Sequence, residues 1–112
     1  MKKSILIIGP QFSGKTFKKN KILSEYEKNR TDDISFKEFV ISNKTAIKNN
    51  FQVVAIDEIY KHEQLDYITK SIAECQLNNL IICTTIPFDQ IPEQLKSFCS
   101  EVVVLSKLSW VS

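Results

Sequence analysis

Gly9-Pro-Gln-Phe-Ser-Gly14-Lys15-Thr16 holds both glycines of this 112-residue chain and fits the pattern G-x-x-x-x-G-K-[ST]. The apolar run Ser4-Ile-Leu-Ile-Ile8 precedes it and a helix-compatible stretch follows it, which is the strand–loop–helix setting the pattern requires. Gly9 is expected to turn the chain off the strand end, and Gly14 to let the backbone approach an anion with no Cβ in the way. Amide N–H groups from about Gln11 to Thr16 then form a nest at a helix N-terminus, where the dipole favours a phosphate. Lys15 supplies a point charge to the β- and γ-phosphates and the Thr16 hydroxyl a ligand for Mg²⁺. The plainer reading, a helix that merely starts with Gly-Lys-Thr, is disfavoured because a glycine-poor chain keeps its two glycines at the two required positions.

The second signal is Val53-Val-Ala-Ile-Asp57-Glu58. An apolar strand runs to its carboxyl end and two acids follow, at the place where open α/β sheets bind ligands. This is the Walker B pattern: Asp57 is expected to hold Mg²⁺ through its water shell, and Glu58 to orient and polarise water as a general base. A strand end capped by solvated acids is the competing reading, and the loop some forty residues upstream weighs against it.

On these two stretches the chain resembles the P-loop NTPases of the additional-strand, catalytic-glutamate division. The resemblance spans Ser4 to Leu105. It implies a three-layer α/β/α fold with a mostly parallel five-stranded sheet, in which another strand separates the two motif strands. It also implies a Mg-nucleotide ligand, usually ATP. Ile5-Leu-Ile-Ile-Gly-Pro-Gln-Phe-Ser-Gly-Lys-Thr16 looks like the opening of AAA+ ATPases, and Leu80-Ile-Ile-Cys-Thr-Thr-Ile-Pro87 with Ile91-Pro-Glu-Gln-Leu95 is similar to their sensor strand and following helix. The latter region also resembles that of DNA-pumping translocases.

Carried over residue by residue, the resemblance makes Gly9, Pro10, Gln11, Phe12, Ser13, Gly14, Lys15, Thr16, Phe17 and Thr85 nucleotide contacts. Lys15 and Glu58 become catalytic, and Thr16 and Asp57 metal ligands. Departures are equally specific. The AAA+ sensor asparagine falls at Ile86, which has no polar group, and the translocase glutamine at Thr85, so Thr84 and Thr85 remain the candidates for sensing the γ-phosphate, with ordinary strand-end threonines as the competing reading. Arg30 is the only arginine and precedes the Walker B stretch, whereas both families place an arginine finger beyond it. Lys61 and Lys96 bring charge without the planar fork. With few residues after the expected fifth strand, no helical lid domain is expected within these 112 residues. A slow ATPase is the first expectation. A switch or assembly subunit that needs a cationic finger from a protein partner or a second copy is the alternative, and a nucleoside or nucleotide kinase the third.

Size and composition set the frame. At 112 residues the chain is expected to be one nucleotide-binding domain, residues 1–112, and 43% hydrophobic with 25% charged residues is ordinary for a globule. The apolar runs are too short to cross a bilayer, and Met1-Lys-Lys-Ser with four apolar residues does not read as a signal peptide. Cys75, Cys83 and Cys99 lack a C-x-x-C spacing, so three reduced thiols in a cytoplasmic protein are expected. Residues 1–50 carry ten lysines and Arg30 against five acids, and residues 51–112 four lysines against eight acids. The basic cluster Lys18, Lys19, Lys21, Lys28 and Arg30 reads better as a solvated helix face than as a nucleic-acid surface, because no aromatic residues interleave with it for base stacking.

Alternating apolar and helical patterns predict a βαβ order. Strands are expected at Ser4–Ile8, Phe51–Ile56, Leu80–Thr84 and Glu101–Leu105, with Thr31–Ser35 a turn or a short strand. Helices are expected from about Gly14 to Lys28, over 36–49 behind the capping box Ser35-Phe-Lys-Glu38, from His62 to Gln76 and from Pro92 to Phe98. For the second of these, an extended edge strand over Ile34–Ile41 is the alternative. His62 is expected to be solvated or capping rather than at the cleft rim, Cys83 a small core residue, and Trp110 part of a terminal strand over the sheet edge.

Overall fold

Strands with apolar residues at every position have to be covered on both faces, and this requirement organises the chain. The computed structural model describes residues 4–106. In chain order it contains β1 (Ile5–Ile8), α1 (Lys15–Leu23), β2 (Thr31–Ser35), α2 (Phe36–Ile41), α3 (Lys44–Asn50), β3 (Val53–Ile59), α4 (His62–Cys75), β4 (Leu80–Thr84), α5 (Glu93–Phe98) and β5 (Glu101–Val104). Single 3-10 turns occupy Lys28–Arg30 and Phe88–Gln90. The sheet order is β2-β3-β4-β1-β5 and every pairing is parallel. β4 therefore separates β1 from β3, as the resemblance implies. Trp110 lies outside the described residues.

Alternate residues divide the core in two. Leu6, Ile8, Val54, Ile56, Leu80 and Ile82 meet Phe39 of α2, Ile47 of α3, Leu65, Ile68 and Ile72 of α4, and Leu95 of α5. Ile5, Ile7, Val53, Ala55, Ile81 and Cys83 point the other way, toward Ile22 of α1. At roughly 1.5–3 kcal/mol per fully buried side chain, the first face contributes most of the hydrophobic stabilisation.

Three departures from the expected elements exceed two residues or split an element, each for a local reason. α1 ends at Leu23 rather than Lys28, where the Ser24 hydroxyl takes the Lys21 carbonyl at 2.6 Å. The 36–49 segment is two helices. Ser35 and Glu38 form the expected capping box, but the Ser42 hydroxyl and the Lys44 ammonium both take the Phe39 carbonyl, at 2.6 Å each. The Asn43 side chain accepts the Ala46 N–H at 3.1 Å and so starts α3 afresh. β3 does not stop before the acids. It runs on through Asp57 and Glu58 to Ile59, with an irregularity that is central to the site.

Candidate functional site

A cleft of about 470 Å³ opens over the carboxyl ends of β1, β3 and β4, lined by Gln11, Phe12, Ser13, Gly14, Lys15, Thr16, Asp57, Glu58, Tyr60 and Thr85. The volume lies in the range of small-ligand sites. Its position follows from topology. The connection from β1 leaves toward β2 at one edge, while the chain returns past β1 to β5 at the other, and such reversals open a crevice at the strand ends.

The loop between β1 and α1 curls rather than extends. Gly9 N–H donates to the Thr84 carbonyl at 3.1 Å, tying the loop's start to β4. Gly14 has φ +91°, the left-handed region that favours glycine, and a Cβ there would meet nothing within 4 Å. The space beside Gly14 is open to a ligand. At Gly9 the expected reason is replaced by another. A Cβ would run into the Ser13 hydroxyl and lie 3.1 Å from Ser13 Cβ and 3.2 Å from Leu105 Cβ, so close packing excludes a side chain there. Among the described residues no acceptor takes the backbone N–H groups of residues 11–16, and the buried Ser13 hydroxyl has no partner. Donors left open at a helix start form a cradle for an anion.

Lys15 lies back over this loop, donating to the Gly9 carbonyl at 2.6 Å and the Pro10 carbonyl at 2.8 Å. Two of its three donors are used and one remains. Burial lowers its pKa below the usual lysine value, and the Asp57 carboxylate partly offsets this. A polyphosphate in the cleft would favour the charged form.

The acids reach the cleft through a β-bulge. Ile56 pairs with Ile82 and Ile59 with Thr84, so β3 has one residue more than β4 over this span. Glu58 takes the extra place at φ +62°, costly for a side-chain-bearing residue, and its N–H donates to Asp57 Oδ1 at 2.9 Å. In a regular strand Asp57 and Glu58 would point to opposite faces. The bulge turns both into the same cleft.

Lys19 of α1 was missed among the basic cluster of solvated lysines. It is only 5% exposed, and its ammonium lies 2.8 Å from Asp33 Oδ2 and 3.4 Å from Asp57 Oδ2. Burial opposes its charge, but the hydrogen bond to Asp33 and the charges of Asp33 and Asp57 outweigh that and raise its pKa. Helical spacing held the signal, because Lys19 is four residues past Lys15 and three before the inward Ile22. Asp33 stands beside Ala55 in the β2–β3 register, one pleat from the Ser35–Asp57 pair, hence on the same face as Asp57. Tyr60 was also missed, and nothing in its spacing marks it.

Not every expected residue reaches the cleft. Gly9, Pro10 and Phe17 do not line it, and Phe17 is 76% exposed on the first turn of α1. Thr84 is spent on structure: its hydroxyl donates to the Ile59 carbonyl at 2.9 Å and accepts the Ile86 N–H at 3.1 Å, locking the strand across from the bulge. Thr85 does line the cleft, and Ile86 is buried. Arg30 precedes β2, at the opposite end of the sheet, and Lys15 is the one cation in the lining. His62 pairs with Gln90 at 3.1 Å and stands outside it.

No group of three or more His, Cys, Asp or Glu among the described residues could cage a metal. One hydroxyl and one carboxylate, Thr16 and Asp57, suit Mg²⁺ carried on phosphates, which keeps most of its waters and takes one or two carboxylates. No helix among the described residues is long and apolar enough to cross a membrane.

No protein-family model and no curated protein matches the chain in sequence. Solved structures do match its fold. A variant of Thermotoga maritima RuvB superposes with a TM-score of 0.59 at 18% identity, over 92% of this chain and 37% of that one. The FIGL-1 AAA domain in complex with ADP gives 0.60 at 14% identity, over 93% and 43%. The chain thus spans less than half the length of either. With its all-parallel sheet, inserted β4 and loop after β1, the chain has the α/β fold of the AAA+ P-loop NTPases.

Proposed function

We propose that residues 1–112 form one nucleotide-binding domain that holds Mg-ATP in the cleft and hydrolyses its β–γ bond slowly. The observation that carries this reading is the convergence, in one cleft, of the unpaired loop amides and Lys15 with Asp57 and Glu58 from the bulge of β3. The amides of residues 11–16 and Lys15 would bind the β- and γ-phosphates, while Thr16 and Asp57 would hold the cation. When bound, Mg²⁺ supplies neutralising charge at the phosphate oxygens. Glu58 would accept a proton from the attacking water as its oxygen bonds to the γ-phosphorus. The bond from that phosphorus to the bridging oxygen then breaks, giving ADP and phosphate. Thr85 would orient the γ-phosphate or that water.

Turnover should be slow in the isolated chain, since a cationic finger contributes about 10³–10⁵ in related reactions and the cleft holds no arginine. A second reading has a partner chain or a second copy supply that charge. The exposed rings of Phe12 and Tyr60 at the cleft, 72% and 56% accessible, favour it as surface available for contact. The free thiols of Cys75, Cys83 and Cys99 fit a reducing compartment such as the cytoplasm.

Calorimetry with ATP, GTP and their non-hydrolysable analogues, with and without Mg²⁺, tests the reading. Lys15→Ala should weaken binding at least about 100-fold, and Glu58→Gln should retain binding while turnover falls about 10²-fold or more. Undiminished phosphate release from Glu58→Gln would remove Glu58 from its role. Release that climbs with protein concentration would favour the partner-dependent reading.

A further inference from the structure

A lysine that is nine-tenths buried is rare unless it is paired, and Lys19 is paired with two carboxylates. Here the three groups come from three elements: Lys19 from α1, Asp33 from β2 and Asp57 from β3. Both Asp57 oxygens are engaged. Oδ1 accepts the Glu58 N–H at 2.9 Å, and Oδ2 faces the Lys19 ammonium at 3.4 Å. The two lysine contacts are unequal, for Asp33 holds the ammonium at 2.8 Å, hydrogen-bond distance, while the Asp57 contact is long. Asp33 is thus the anchor of Lys19, and it keeps the ammonium from closing fully on Asp57.

We propose that Lys19 and Asp33 are positioning residues that set the orientation and the effective charge of Asp57, and thereby the divalent-cation concentration at which the cleft takes a nucleotide. The inference rests on the Mg-nucleotide reading above. A lysine fully paired with Asp57 would compete with the cation for the carboxylate. A lysine absent would leave Asp57 unrestrained on one oxygen and two acids facing each other in a half-buried place. The observed sharing lies between these limits: Asp57 is held, yet its charge is only partly cancelled.

The test is Asp33→Asn, a change at a half-exposed side chain that leaves the core untouched. Affinity for a non-hydrolysable ATP analogue is measured by calorimetry across a Mg²⁺ series and in its absence. Freed from its anchor, Lys19 should close on Asp57. The Mg²⁺ concentration for half-maximal affinity should then rise about tenfold, while Mg-free affinity changes less than about twofold. With Lys19→Met already in place, the same Asp33→Asn change should shift the Mg²⁺ requirement by less than about twofold, because the ammonium that transmits it is gone. An unchanged Mg²⁺ requirement in Asp33→Asn overturns the proposal. So does an equal fall in affinity with and without Mg²⁺, which marks a merely structural ion pair. If Lys19→Met does not fold, Asp33→Asn decides alone. A wild-type chain that binds no Mg-nucleotide refutes the site reading itself, a result distinct from a wild type that binds normally beside an insensitive Asp33→Asn variant.

Discussion

The two faces of the sheet differ in kind. The face beneath α2, α3, α4 and α5 is predominantly apolar, sixteen buried hydrophobic residues joined into one cluster among the described residues. The face beneath α1 carries seven, and toward the carboxyl ends of its strands it gives way to Lys19, Asp33 and Asp57. One helix covers it where four cover the other. Cys83 lies at its polar boundary: burial first, then the Asp57 charge, raise its thiol to about 12. The contrast separates two duties. Apolar area on one side stabilises the fold, which leaves the other side able to accommodate desolvated charges and strained backbone that would be unaffordable in a single uniform core.

The largest test of this contrast sets the faces directly against each other. Leu65→Ala, in the fully buried cluster, should cost about 3–4 kcal/mol, and Ile22→Ala, at the edge of the smaller one, about 2 kcal/mol or less. Urea unfolding followed by circular dichroism measures both, and equal losses would break the comparison. A finer test uses the strained positions. Gln76 caps α4 at φ +54° away from the cleft, and Glu58 has φ +62° within it. Replacing either with glycine should stabilise the chain by about 0.5–1 kcal/mol. Only Glu58→Gly should also lose phosphate release. If Glu58→Gly destabilises instead, the bulge is not strained.

The smallest expected effect is on pH dependence, and both faces contribute with one sign. Burial raises the Cys99 thiol from near 9 to about 11, and Cys83 is raised further. As pH climbs through the unfolded value, the unfolded chain loses its thiol protons first, so stability falls until the folded values are reached. Cys99→Ala should flatten the part of this fall between pH 9 and 11, read from urea midpoints at successive pH values. An unaltered slope would place the alkaline loss elsewhere.

Much of this architecture was legible from residue order. Ile5–Ile8, Leu80–Thr84 and the alternation with amphipathic stretches fixed strands and helices to within a few residues, because burial on a strand or a helix face is a local repeat. The break at Ser42-Asn43 was not, since it depends on which side chains win the last carbonyls of α2 once Lys44 has folded over Phe39. Thr84 is a candidate sensor or an ordinary strand-end threonine by sequence, and only the pairing of β3 with β4 reveals the Ile59 carbonyl that its hydroxyl takes.

Spacing alone determined that a glycine-bearing loop would join β1 to α1 and that two acids would follow an apolar strand, as these are contiguous patterns whose chemistry is carried by neighbours in the chain. Only the folded chain decided that Glu58 would sit in a bulge facing the loop, and that Lys19 would be drawn out of a run of solvated lysines to bridge Asp33 and Asp57. The Lys19–Asp57 contact alone joins residues that the chain separates by 38 positions, and both arrangements follow from strand register and the desolvation of charge, which no local repeat encodes.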